Sequence, residues 1–172
     1  MAKVYLGLGT NLGNKEQNLH SAIGKINNRI GNIISQSGFY ETEPWGFTSK
    51  NAFLNAVVCV ETNMTPLDLL EQTQEIEIEV GRLNKSVNGS YSDRIIDVDL
   101  LLYDDLILET DSLILPHPLM AERKFVLEPL TEIAPELVHV SLKKTMKELL
   151  AELSLKCKLE NQYQTTYCKQ QD

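Results

Sequence analysis

Cysteine, basic residues and long apolar runs are scarce in this sequence, and each shortage excludes a class of protein. The three cysteines are odd in number and include no Cys-x-x-Cys pair, which argues against a disulfide framework or a zinc site and favours a reducing compartment. No apolar segment approaches the roughly 18 residues of a membrane helix, and no leader pattern marks the N-terminus. A net charge of −8 without a basic block suits neither nucleic acid nor an anionic membrane. We therefore expect a cytoplasmic protein with no nucleic-acid or membrane partner, and a monomer is the default expectation.

Glycines near the N-terminus do not form a known nucleotide motif. The pattern G-x-G-x-x-G would need glycine where Leu12 stands. The pattern G-x-x-x-x-G-K-[ST] also fails, because Asn14 follows Gly13. Both phosphate-binding motifs are therefore excluded.

Hydrophobic periodicity predicts one domain over residues 1–160 and a tail over 161–172, either mobile or an accessory strand. The predicted strands cover residues 3–9, 33–42, 53–60 and 94–103, and the predicted helices cover 15–30, 65–80, 119–127 and 142–155. Short apolar segments at 106–108 and 113–115 follow the fourth strand, and a turn is expected at 132–135. Up to residue 103 the element order is βαββαβ.

The segment from Arg94 to Tyr103 (RIIDVDLLLY) organises the chain. Its aliphatic density predicts a buried strand, and period-two alternation places Asp97 and Asp99 on one face, with Ile96, Val98, Leu100 and Leu102 opposite. Two carboxylates at this spacing suit Mg²⁺ bound together with substrate phosphates, and the Arg94 guanidinium matches phosphate oxygens. The alternative is an edge strand whose aspartates are simply solvated.

Aromatic and amide side chains form a second group of candidates. Phe53 and Asn55 share a face of the third strand, where a ring can stack on a flat heterocycle and an amide can read its edge. A structural strand end is the alternative. Trp45 and Phe47 in a turn-rich loop could cover a ligand or tuck beneath the loop.

Polar residues before and after the Asp pair are the remaining candidate binding residues. Gln74 and Glu77 share a helix flank, and Glu77 could bind a ribose or an arginine, or be solvated. A long polar loop brings Arg82 and Arg94 towards the carboxylates. His117 lies between two prolines, which suits either a binding role or a structural turn.

The chain resembles the 6-hydroxymethyl-7,8-dihydropterin pyrophosphokinase family of folate biosynthesis. The resemblance covers about positions 3–140 and rests on these motifs in matching order: LGLGTNLG, FYETEPWG, FLNAVV, TQEIEIEVGR, DRIIDVDLLLY, LPHP and ERKFVLEPLTEIAPE. It implies an α+β ferredoxin-like fold, with a mostly antiparallel βαββαβ core, helices packed on the sheet and further C-terminal helices. It also implies transfer of the diphosphate of ATP to the pterin hydroxymethyl group, with release of AMP and with two Mg²⁺ ions as cofactors.

Residue roles follow from the same resemblance. Asp97 and Asp99 match the metal ligands, with Arg82 and Arg94 completing the catalytic set. The expected ATP-binding residues are Gln74, Glu77, Arg82, Tyr91, Arg94, Ile114, His117 and Arg123. The expected pterin-binding residues are Thr42, Pro44, Trp45, Phe53, Asn55, Asp97 and Phe125.

The sequence departs from the family pattern mainly in the loop before the Asp pair. Asn84 replaces a frequent basic residue, Tyr91 takes the place of a tryptophan, and the loop is about two residues longer. Phe53 replaces a frequent tyrosine and keeps the stacking ring. We expect an open loop when no ligand is bound.

Two other functions use the same residues. A metal-dependent phosphohydrolase or nucleotidyltransferase would produce ADP or a nucleotidylated product instead of AMP. A ferredoxin-like binding module without catalysis would need neither the paired aspartates nor the arginines beside them.

Overall fold

A computed structural model describes residues 1–43, 50–82 and 95–168. Its elements, in chain order, are β1 (Ala2–Thr10), α1 (Lys15–Arg29), β2 (Asn32–Gln36), β3 (Tyr40–Thr42), β4 (Phe53–Thr62), α2 (Pro66–Arg82), β5 (Asp97–Tyr103), β6 (Leu108–Glu109), β7 (Ile114–Leu115), α3 (Lys124–Ile133) and α4 (Met146–Cys168). A 3₁₀ turn at Met120–Glu122 precedes α3.

The main sheet is antiparallel, with strand order β2-β4-β1-β5, and β3 pairs with the other end of β4. The long strands β1 and β4 therefore occupy its centre, and β5 with its aspartates lies beside β1. In the pairing, Gly9 of β1 stands between Asn55 of β4 and Asp97 of β5. This arrangement confirms the predicted α+β class with an antiparallel βαββαβ core.

Helices cover both faces of the sheet. Val4, Leu6 and Leu8 of β1 are at most 3% exposed and pack in the core cluster that contains residues of α1 and α2. A second cluster, on the other face, packs Val57 and Leu101 against α3 and α4. Side chains alternate along a strand, so each face of the sheet carries its own apolar set.

Helices α1 and α2, which pack on the same face of the sheet, both begin at a capping side chain. Asn14 Oδ1 accepts the Gln17 backbone N–H at 3.1 Å, and Thr65 Oγ1 accepts that of Asp68 at 3.3 Å. Each cap satisfies a backbone donor in the first helical turn that has no intrahelical partner. Both predicted helix starts are therefore confirmed.

The predicted second strand is in fact two strands. Ser37 Oγ accepts the Val57 N–H at 2.9 Å, so a side chain replaces a backbone carbonyl at this point of the ladder. The chain leaves the regular sheet after β2 and rejoins β4 at Tyr40. Apolar alternation through 33–42 gave no sign of this interruption.

Strand β5 differs from simple alternation at one point. Tyr5 pairs with Leu102 and Leu6 pairs with Leu100, so Leu101 is an extra residue at a β-bulge. The bulge places Leu102 in the second core cluster, while Leu100 stays in the first. The predicted common face of Leu100 and Leu102 is therefore wrong.

The C-terminal elements also differ from the expected bounds. The helix predicted at 119–127 is a 3₁₀ turn followed by α3, which continues to Ile133, so the first two residues of the expected turn at 132–135 are helical. The last helix, α4, continues to Cys168 instead of ending at 155, so most of the expected tail is helical. Across the described ranges, no helix is both long and apolar enough to cross a membrane.

Candidate active site

A cavity of about 380 Å³ opens on the α3 side of the sheet, where β1, β4 and β5 lie side by side. Its lining includes eight of the side chains predicted from sequence, namely Thr42, Phe53, Asn55, Asp97, Asp99, His117, Arg123 and Phe125. These residues come from β3, β4, β5, the segment that leads into α3 and the first turn of α3. The fold therefore brings the expected pterin-binding and metal-binding candidates together, and their individual roles remain predictions.

Two glycines of β1 form the floor of this cavity. Gly7 and Gly9 both line it, and period-two alternation directs them to the same side of the strand. A Cβ atom on Gly9 would lie 2.9 Å from Asn55 Oδ1, so glycine is required for the amide to lean over the strand. Sequence reasoning had weighed these glycines only as a nucleotide motif. Their spacing within an otherwise aliphatic strand was the signal of a bare backbone surface.

Asn55 is oriented by a neighbouring strand. The residue is 4% exposed, and its Nδ2 donates to Thr42 Oγ1 at 2.7 Å. Its Oδ1 faces Gly9 across the floor, with the Phe53 ring beside it. The amide is thus held with a defined donor side and acceptor side, which is what recognition of a heterocycle edge requires.

The paired carboxylates stand on the opposite border of the floor. Asp97 is paired with Gly9, and Asp99 with Gly7. The Asp99 side chain is 46% exposed, and its Oδ2 is 4.0 Å from Arg123 Nη1. Accessible hard oxygen donors of this kind fit Mg²⁺, which usually completes its shell with water and substrate phosphates. In the part of the chain that the structure describes, no cluster of three or more acidic, histidine or cysteine ligands occurs.

Asn18 of α1 hydrogen-bonds both to the end of β1 and to the segment that enters β5. Its Nδ2 lies 3.2 Å from Thr10 Oγ1, 2.8 Å from the Leu12 carbonyl oxygen and 3.3 Å from the Ile95 carbonyl oxygen. Thr10 follows Gly9 directly, and Ile95 lies two residues before Asp97. The amide therefore holds the end of β1 against the segment that enters β5. Sequence reasoning missed Asn18, because the acceptor that ties it to the Asp segment, the Ile95 carbonyl, is distant in sequence.

His117 is fixed by two backbone hydrogen bonds. Its N–H donates to the Leu101 carbonyl at 2.9 Å, and its ring Nδ1 accepts the Leu119 N–H at 3.1 Å. Burial, and next the charge of Arg123, lowers the pKa of His117. The ring is therefore neutral at neutral pH, with its proton on Nε2, available to donate to an anion in the cavity.

Arg123 and Phe125 line the side of the cavity formed by the start of α3. The Arg123 guanidinium carbon is 5.6 Å from the centroid of the Phe125 ring, within cation–π range. The Arg123 side chain is only 13% exposed. This packing holds a positive charge between the aromatic ring and Asp99.

Three expected ATP-binding residues lie elsewhere on the described surface. Glu77 Oε1 accepts the Val98 N–H at 2.7 Å, so it supports β5 between the two aspartates. Gln74 is exposed on α2, and Ile114 is 43% exposed on β7. None of the three lines the cavity within the described ranges. Some predicted site residues lie outside the part of the chain that the structure describes, namely Pro44, Trp45, Tyr91, Arg94 and the side chain of Arg82. The departures from the family pattern at Asn84 and its neighbours also lie outside it.

The fold and the cavity define a class: an antiparallel α+β domain with a cavity whose glycine floor lies beside a pair of carboxylates. The family model for 7,8-dihydro-6-hydroxymethylpterin-pyrophosphokinase matches residues 5–135. The chain belongs to this family.

Relatives with higher sequence identity agree with that assignment. A 2-amino-4-hydroxy-6-hydroxymethyldihydropteridine pyrophosphokinase of Porphyromonas gingivalis is 48% identical over 136 residues, covering 78% of this chain and 92% of that protein. The protein of the same name from Aquifex aeolicus is 39% identical over 156 residues, covering 91% and 95%.

Among solved structures, the wild-type HPPK-DHPS protein of Plasmodium falciparum matches with a TM-score of 0.75 and 19% identity. The match covers 92% of this chain and 46% of that one, so the chain spans less than half of its structural neighbour. At this identity the likeness concerns the fold.

Proposed function

We propose that this chain transfers the diphosphate of ATP to the hydroxymethyl group of 6-hydroxymethyl-7,8-dihydropterin. The products are the pterin diphosphate and AMP, and the step belongs to tetrahydrofolate biosynthesis. The observation that carries the proposal is one cavity in which a bare glycine floor lies between an oriented amide and a pair of carboxylates. Membership of the pyrophosphokinase family supports it.

The pterin is assigned to the floor. A flat ring placed over Gly7 and Gly9 meets backbone on one side, and the rings of Phe53 and Phe125 offer stacking surfaces at the border. Asn55 reads the edge of the heterocycle with an amide already held by Thr42. Pre-oriented partners reduce the entropy lost on binding, so this end of the cavity supplies substrate orientation.

The phosphates are assigned to the Asp97 side. Mg²⁺ ions held by Asp97 and Asp99 would supply the charge that neutralises the phosphate oxygens. Arg123 and the Nε2–H of His117 donate to the transferred group, and Arg82 and Arg94 add positive charge by the family resemblance. The hydroxymethyl oxygen bonds to the β-phosphorus, its proton is released, and the bond from that phosphorus to the bridging oxygen of AMP breaks. Such a transfer needs positioning and charge, with no covalent nucleophile.

Product analysis tests the proposal directly. The protein is incubated with ATP, Mg²⁺ and hydroxymethyl-dihydropterin, and nucleotide and pterin products are separated and quantified. We expect AMP and pterin diphosphate in equal amounts. Asp97→Asn should lower the rate by about 100-fold or more, as for loss of an electrostatic contact made to the transition state. Asp105→Asn is the matched control, because this exposed aspartate follows β5 and carries the same charge.

Other products would overturn the assignment. ADP would indicate a phosphohydrolase, and a nucleotidylated pterin would indicate a nucleotidyltransferase. The metal site has a separate readout: binding of Mn²⁺ in place of Mg²⁺, followed by electron paramagnetic resonance, should weaken in Asp97→Asn and remain unchanged in Asp105→Asn.

A further inference from the structure

Glu132 of α3 accepts hydrogen bonds from the segment between β2 and β3. The Tyr40 hydroxyl donates to Glu132 Oε2 at 2.7 Å. The Gly38 N–H donates to the same carboxylate, at 3.2 Å from Oε1 and 3.0 Å from Oε2. The hydrogen bond to Glu132 is the main reason that the pKa of Tyr40 is raised, to about 12. Side chains far apart in sequence are thus joined by charge-assisted hydrogen bonds.

These bonds connect two opposite walls of the cavity. One wall is β3 with β4, in which Tyr40 pairs with Asn55 and Thr42 pairs with Phe53. The other wall is the start of α3, which carries Phe125. Glu132 lies two turns further along α3 and spans from this helix to the beginning of β3.

The segment needs such support because it has left the regular ladder. Ser37 replaces a backbone acceptor with its side-chain oxygen, and the Gly38 N–H is directed to Glu132. Strand β3 itself is only three residues long. A short strand at the end of an irregular segment contributes few backbone hydrogen bonds of its own, so its position depends on the side-chain contacts beside it.

We propose that Glu132 is a positioning residue that sets the separation of the two walls, and through it the affinity for the pterin. It acts through Tyr40 and Gly38, since neither these residues nor Glu132 is among the described residues lining the cavity. The inference deepens the proposed function and rests on it. It assigns a role in substrate recognition to a carboxylate outside the metal and phosphate positions.

Steady-state kinetics separates positioning from general structural damage. Glu132→Ala should raise KM for the pterin roughly tenfold, as expected for loss of a charge-assisted hydrogen bond, while kcat and KM for ATP change by less than about twofold. Glu132→Gln keeps an oxygen acceptor and should restore part of the affinity. Tyr40→Phe should raise KM less, and combining it with Glu132→Ala should add little, because both variants remove the same bond.

Glu128→Ala is the matched control. Glu128 lies one turn earlier on α3 and contacts Lys124 at 3.4 Å, so its removal takes the same charge from the helix and leaves the hydrogen bonds of Glu132 in place. The dissociation constant of the pterin, measured by ligand fluorescence without ATP, should rise in Glu132→Ala and not in Glu128→Ala.

A spectroscopic readout tests the positioning step without relying on activity. The side-chain amide resonances of Asn55 should shift in Glu132→Ala, because β3 carries the Thr42 acceptor of that amide. Shifted resonances with unchanged pterin affinity would overturn the inference and leave the proposed function intact. Unshifted resonances would overturn it as well. If the wild-type protein forms neither AMP nor pterin diphosphate, the proposed function fails, and this inference fails with it.

Discussion

Replacing Gly7 by alanine should leave the fold intact and damage the cavity. The new Cβ would lie 3.4 Å from Leu101 Cδ1 and 3.5 Å from Leu101 Cδ2, which is ordinary van der Waals contact. Gly7 lines the cavity floor, so the methyl group would occupy the surface on which we place the pterin. The protein can accommodate the added atom, whereas a flat ligand resting on the backbone cannot.

The two effects have different magnitudes and signs. Glycine in a strand costs roughly 0.5–1 kcal/mol relative to alanine, so Gly7→Ala should keep or slightly raise the free energy of unfolding. Overpacking a tight contact costs typically about 1–3 kcal/mol, which corresponds to a pterin dissociation constant raised about 5- to 150-fold. Stability and binding should therefore change in opposite directions.

Urea unfolding and a fluorescence titration of the pterin measure the two quantities. Gly24→Ala is the matched control, because Gly24 lies within α1 and an added Cβ there would meet nothing within 4 Å. That control should raise stability by about 0.5–1 kcal/mol, with unchanged pterin affinity. If Gly7→Ala binds the pterin as tightly as the wild type, the glycine floor is not the ring-binding surface and the placement of the substrate must be revised.

Three further predictions address the supports of the site. Thr42→Val keeps the side-chain shape but leaves the buried Asn55 amide without its acceptor. The free energy of unfolding, measured in urea, should fall by about 1–3 kcal/mol, and a fluorescence titration should show weaker pterin binding. Asn18→Leu leaves the Ile95 carbonyl without this donor and should lower the free energy of unfolding by a similar amount. The kcat should also fall, because β5 is held less firmly. Unchanged stability and kcat would contradict a role of Asn18 in holding β5. The pKa of His117 is lowered by burial and next by Arg123, so below pH ~6.5 the unfolded chain binds a proton that the folded chain resists. The free energy of unfolding should therefore fall as the pH drops from ~6.5, and His117→Gln should remove part of that fall in urea titrations from pH 8 to pH 5.

Local patterns in the sequence predicted the elements of the fold and much of the cavity. Alternation with a period of two placed Phe53 and Asn55 on one face, and Asp97 and Asp99 on one face, because that period follows from strand geometry alone. The flanking prolines marked His117 as a candidate, and the family motifs added Arg123 and Phe125; all three line the cavity. The fold class and family membership were likewise correct.

Other features were hidden from such patterns. The break at Ser37 depends on Val57, and the bulge at Leu101 depends on pairing with β1. Val57 and β1 are both far in sequence from the segments that they contact, so secondary-structure propensity and alternation could not reveal the break or the bulge. The sequence left ribose, arginine and solvent as alternative contacts of Glu77, and in the structure its carboxylate accepts the Val98 backbone N–H of β5.

The sequence by itself determined which residues have the chemistry for this site, because residue type, strand alternation and helix capping are properties of short segments. Only the tertiary structure decided how those residues are positioned. It brought Gly9 between Asn55 and Asp97, joined Asn18 to Ile95, and linked Glu132 to Tyr40. Each of these contacts joins residues from distant parts of the chain, and their geometry exists only once the strands are paired and the helices are packed on the sheet.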